Sequence, residues 1–145
     1  MAQTSSRPAL NLPGKAVLTL EAARLAVAEA EEEAKKNGLR LSIAVVDDGG
    51  HLLHFARMDG VHAGTVDVAV AKARTAALFK KPTQVFADAL KNGTQAMLSL
   101  PNMLLFPGGV PLFFKGECVG AIGVSGASPD MDAKVAEAGA AILAD

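Results

Sequence analysis

The sequence predicts an α+β fold, a single domain with a central antiparallel sheet packed between helices. Three observations carry that prediction. Apolar residues recur at helical spacing from Leu18 to Asn37, tight turns at Asp48-Gly49-Gly50 and around Gly116 each separate two short strand-like runs, and Ser128-Pro129-Asp130 forms a strong helix start. A length of 145 residues supports one hydrophobic core.

Residues 1–16 hold Pro8, Pro13 and Gly14 among small polar residues and show no periodicity, so they read as an irregular arm before a domain over 17–145. In the first helix Thr19 is the expected cap, Glu21 suits the positive end of the dipole, and Gly38 follows Lys35 and Lys36 as the stop. Leu41–Asp47 and Leu52–Met58 read as a hairpin. A period of two then places Leu53, Phe55 and Arg57 on one face and Leu52, His54, Ala56 and Met58 on the other. Thr65 is expected to cap a second helix reaching about Lys80, and Thr83 a shorter one over Gln84–Lys91. After a mostly irregular Pro101–Gly109 come strands at Pro111–Lys115 and Glu117–Val124, the latter apolar enough to be covered on both faces. The last helix is expected to run from Ser128 nearly to Leu143.

Composition narrows the functional classes. With 14 Lys+Arg against 15 Asp+Glu and neither Trp nor Tyr, the chain has no basic footprint and few stacking platforms, so nucleic acid is not an expected partner. The lone Cys118 rules out an intrachain disulfide and reads as an inert core thiol. No apolar run approaches the roughly 20 residues that span a bilayer, so no membrane partner is expected. The first residues lack the apolar core of a secretory signal, and a cytoplasmic location is expected. Half the residues are hydrophobic and mean hydropathy is +0.29, more apolar character than one small core buries, which points to a homo-oligomer.

Candidate chemistry lies in four places. His51, His54 and His62 fall close together, and either they are surface or interface histidines or one of them ligates a haem iron; as a shared chelate, His51 and His54 would need a bulge to reach one face. Arg57, directed at the covered side of the sheet, either pairs with Asp59 or Asp47 or meets an anionic ligand. Lys72, in an otherwise apolar helix, either snorkels to water or complements Arg57 as a carboxylate contact. Gly108, Gly109, Ser125 and Gly126 flank a helix start whose free N–H groups could cradle a carboxylate or a haem propionate; alternatively these glycines only shape turns. No catalytic dyad is legible.

Several words of the sequence occur in one order: Ala44-Val45-Val46-Asp47 with Gly49-Gly50, Arg57-Met58-Asp59-Gly60, Lys72-Ala73 with Thr75-Ala76, Pro82-Thr83, Gly108-Gly109-Val110-Pro111, and Gly120 to Gly126. This set resembles the GlcG/HbpS family of small haem-binding proteins, to which the C-terminal domain of PduO-type cobalamin adenosyltransferases also belongs. The resemblance spans about residues 17 to 144. It implies an α+β subunit assembling into symmetric oligomers, haem as a cofactor, and Thr75 together with subunit histidines as haem contacts. Two functions follow as expectations: a haem-binding or haem-handling protein, or a small cofactor-independent enzyme or binding module for a carboxylate-bearing metabolite, using Arg57, Lys72 and the last helix start.

Overall fold

The computed structural model describes residues 6–144; residues 1–5 of the arm and Asp145 lie outside the described residues. Helix α1 (Leu20–Lys36) starts where the Thr19 hydroxyl accepts the Ala22 N–H, and its buried stripe is Ala23, Ala26, Val27, Ala30 and Ala34. The hairpin strands β1 (Ser42–Asp47) and β2 (Leu52–Arg57) follow, then α2 (Thr65–Phe79) and α3 (Thr83–Lys91). A 3₁₀ turn at Gln95–Ser99 leads into an irregular loop, and strands β3 (Gly109–Phe114) and β4 (Glu117–Ser125) precede α4 (Pro129–Ala140). The chain after Ala140 tightens into a 3₁₀ turn over Ala141–Leu143, so the last α-helix is shorter than its sequence pattern.

The sheet is antiparallel throughout, in the order β2-β1-β4-β3. Its two faces differ in side-chain size. Toward α1 and α4 it presents Ile43, Val45, Leu112, Ile122 and Val124. Toward α2 it presents Ala44, Val46 and Ala121, which meet Ala69, Ala73, Ala76 and Ala77 of the helix. Gly123 completes this second face. A methyl group there would collide with the Ala69 carbonyl and stand 3.0 Å from the Ala73 Cβ, so the bare glycine lets the helix backbone lie on the strand.

A bulge corrects one expectation. Val45 pairs with His54 but Val46 pairs with Leu52, leaving Leu53 as the extra residue. Leu53 therefore packs on the α1/α4 side while Phe55 packs on the α2 side, and the anticipated common face of Leu53, Phe55 and Arg57 is split. The two expected threonine caps are also corrected. Thr65 and Thr83 are the first helical residues, behind Gly64 and Pro82, and their hydroxyls tie helices to strands. Thr65 Oγ1 lies 2.6 Å from the His62 carbonyl and 2.9 Å from Ser42 Oγ, and Thr83 Oγ1 accepts the Gly109 N–H at 2.9 Å. Among the described residues, no helix is long and apolar enough to cross a membrane.

Candidate functional site

Lys72 neither snorkels nor faces solvent. Its ammonium is buried between α2 and α4, 3.0 Å from Asp132 Oδ2 and 2.9 Å from the Val124 carbonyl. The other Asp132 oxygen accepts the Ala127 N–H at 2.9 Å, just ahead of the α4 N-terminus. Burial pushes the Asp132 carboxyl above its ordinary value, and the Lys72 charge and the backbone N–H donors offset only part of that rise. The anion that the start of α4 was expected to attract is thus the chain's own carboxylate. Ser128 Oγ, the cap, accepts the Met131 N–H at 3.3 Å.

The glycines near this pair serve the same junction. Gly108 has φ +125°, and a Cβ there would stand 2.6 Å from the Val124 carbonyl and 2.9 Å from Lys72 Nζ. At Gly109 a Cβ would collide with the Lys72 carbonyl and stand 2.7 Å from Thr83 Cγ2. Ser125 is buried at the end of β4 opposite Ser42, and Gly126, at φ +139°, turns the chain beside the Arg40 carbonyl. Close backbone approach here is to the protein itself.

Arg57 lies at the outer end of the edge strand, exposed, with Nη2 donating to the Val61 carbonyl at 3.3 Å. The expected pairing with Asp59 or Asp47 does not form: among the described residues no carboxylate oxygen is within 4.0 Å of Arg57. Asp47 is committed to the hairpin tip instead. Its Oδ1 accepts the N–H groups of Gly49 and His51, each at 2.9 Å, and stands 3.3 Å from His51 Nδ1. Burial raises this carboxyl, but the two N–H donors and the imidazole outweigh that and hold it below its ordinary value.

The histidines are not brought together. His51 projects from the tip with its side chain 83% exposed, Nδ1 toward Asp47 and, among the described residues, Nε2 unbonded; His54 is half-buried opposite Val45; His62 is exposed before α2. Among the described residues no group of three His, Cys, Asp or Glu side chains could hold a bare metal ion. Cys118 is half-buried, with Sγ 3.4 Å from the Gly120 carbonyl and a thiol pushed up by burial, which suits an unreactive role.

Thr75 is almost wholly buried. Its hydroxyl donates to the Ala71 carbonyl at 2.8 Å and accepts the Leu104 N–H at 3.0 Å, pinning the irregular loop onto α2. That pin builds one wall of an open groove of about 440 Å³ lined by Ala71, Arg74, Asn102, Met103 and Leu104. The hairpin tip packs beside the same helix: a Cβ on Gly50 would lie 3.4 Å from Arg74 Nε and 3.7 Å from Leu78 Cγ. Sequence reasoning missed Arg74, Met103 and Asp132. Arg74 sits one residue before Thr75, and Asp132 one turn beyond Ser128, but only the fold shows what they face.

The comparisons with known proteins agree with this architecture. Residues 18–141 match the model of a family described as haem degrading protein HbpS-like. This chain belongs to the HbpS-like family. It is 42% identical to protein GlcG of Escherichia coli K12 over 111 residues, 77% of this chain and 83% of GlcG. A double mutant of Streptomyces reticuli HbpS superposes with a TM-score of 0.85 at 38% identity, covering 100% of this chain and 99% of that one. PduOC, solved as a heme complex, shares the fold at a TM-score of 0.80 and 23% identity, covering 89% of this chain and 96% of that one.

Proposed function

We propose that this HbpS-like protein binds haem in the groove between the outer face of α2 and the 100–106 loop, with His51 as the iron ligand. The observation that carries the proposal is the exposed His51 imidazole, 3.3 Å from Asp47, on a hairpin whose Gly50 lies beside Arg74 of the groove wall. With Nδ1 3.3 Å from Asp47 Oδ1, a proton carried on Nδ1 would leave the Nε2 lone pair for iron, the arrangement in which a carboxylate orients a metal-bound histidine and raises its basicity. The rest of the wall suits a flat apolar macrocycle carrying carboxylates: Ala71, Met103 and Leu104 supply apolar surface, and the exposed Arg74 supplies a cation for a propionate. Thr75 acts as a positioning residue that holds the loop wall in place. Bound haem supplies redox and ligand-binding chemistry at iron, and the chain supplies orientation and partial cover.

The family description supports haem as the cofactor, and the exposed apolar residues Leu98, Phe106, Phe113 and Phe114 support a homo-oligomer. Titration of the purified protein with haemin tests the first point. A saturable Soret shift that loses its histidine-ligand spectrum in His51→Ala but not in His54→Ala is the expected result. No shift, or a spectrum indifferent to His51, overturns the assignment. Light scattering tests the second, and a mass near 14.8 kDa at micromolar concentration would exclude the oligomer.

A further inference from the structure

A second groove, about 580 Å³, opens at the other end of β2. Five residue steps along an extended strand separate Leu52, next to His51, from Arg57, so the two regions are about 17 Å apart. We propose that this groove binds a small organic monocarboxylate with a short apolar body, its carboxylate held between Arg40 and Arg57.

Both guanidinium groups approach the same turn. Arg57 Nη2 bonds the Val61 carbonyl at 3.3 Å, and the Arg40 side chain lies where a side chain on the preceding Gly60 would stand, a glycine at φ +86°. Neither arginine has a carboxylate oxygen within 4.0 Å among the described residues. Each guanidinium carries five N–H donors in a planar fork suited to a carboxylate, and among the described residues the single Arg57 bond to Val61 leaves most of its donors free. Below them, Leu39, Ala56 and Met58 are half-buried and give the groove an apolar floor. Glu31 and Asp59 also line it, against Lys35, Arg40 and Arg57, a balance that favours a singly charged anion over a phosphate dianion.

Hexanoate, 1-hexanol and inorganic phosphate are the probes, titrated against the full-length protein by calorimetry or amide chemical-shift mapping. Hexanoate is expected to bind best, to shift amides around residues 57–61, and to weaken by about tenfold in Arg57→Gln, as befits the loss of a charge-assisted hydrogen bond. Arg57→Gln also removes the bond to Val61. Arg40→Gln, at an exposed side chain that makes no hydrogen bond among the described residues, therefore serves as the variant least dependent on folding, and an unchanged melting temperature qualifies either variant. Hexanoate affinity unchanged in Arg40→Gln, hexanol binding as tightly as hexanoate, phosphate binding more tightly, or no binding at all would each overturn the proposal. Haem titration of the same variants stays unaffected, since the groove beside α2 holds neither arginine.

Discussion

The two faces of the sheet reach the same degree of burial by opposite means. On the α1/α4 face Ile43, Val45, Ile122 and Val124 fill the space with branched side chains, and on the α2 face Ala44, Ala121 and Gly123 let the helix backbone close in. Large side chains bury more apolar area, at roughly 25 cal/mol per Å², so hydrophobic burial dominates the first face. On the second face less apolar area is available per residue. There the helix is held by close fit, by the Lys72–Asp132 ion pair and by the hydroxyl of Thr65. The lesson is that the helix whose outer surface forms the candidate haem groove is positioned by its polar pins and its glycine contacts.

Breaking the ion pair gives the largest expected effect. Asp132→Ala should cost about 3–5 kcal/mol in urea unfolding because it strands a buried ammonium. Lys72→Met combined with Asp132→Leu should recover most of that loss, whereas a single-variant cost near zero would remove the pair from the account of how α2 is held. On the opposite face Ile122→Ala should cost about 2–5 kcal/mol through the cavity it leaves. The comparison sharpens at the adjacent residue: Gly123→Ala adds a methyl group, yet should destabilise by about 1–3 kcal/mol because it meets helix backbone. If Gly123→Ala proves stabilising, the faces do not differ in the way described.

Titration separates the hairpin tip from the α2–α4 junction. Asp47, lowered in the folded state, contributes stability that is present above its unfolded value near 3.8 and is lost as pH falls through the folded value. Asp132 has the opposite sign. Raised in the folded state, it binds its proton more readily when folded, so its contribution improves as pH falls from neutral toward 3.8. Unfolding free energies measured against pH should therefore diverge: wild type loses its advantage over Asp47→Asn in acid and gains relative to Asp132→Asn. Parallel curves would show that the two environments do not differ. The smallest effect is expected at Thr75→Val, about 1 kcal/mol for the lost hydrogen bonds, with a larger fractional loss of haem affinity if the loop wall matters.

Helices, hairpins and the two inner strands were legible because apolar spacing and turn residues are local properties, as Leu20 to Ala34 and Asp48-Gly49-Gly50 show. The bulge was not, since Leu53 becomes the extra residue only through its pairing with β1. The site was legible in kind and not in arrangement. The sequence showed a lysine, a glycine-rich junction and a helix start that favours an anion, but the carboxylate that meets them is Asp132, separated from Lys72 by 60 positions. His51 and Asp47 could be named from composition near a turn; that the carboxylate accepts the His51 amide and stands 3.3 Å from its ring follows from the fold of that turn.

The loop before β3 has a further consequence through Leu104. Its amide belongs to no helix or strand, and its hydrogen-bond acceptor is a single threonine hydroxyl on α2. In amide hydrogen exchange it should stand out as a slow site among fast neighbours, with a protection factor that measures how often the loop lifts from the helix. Ligand seated beneath that wall would slow this one exchange before it altered any amide of the sheet.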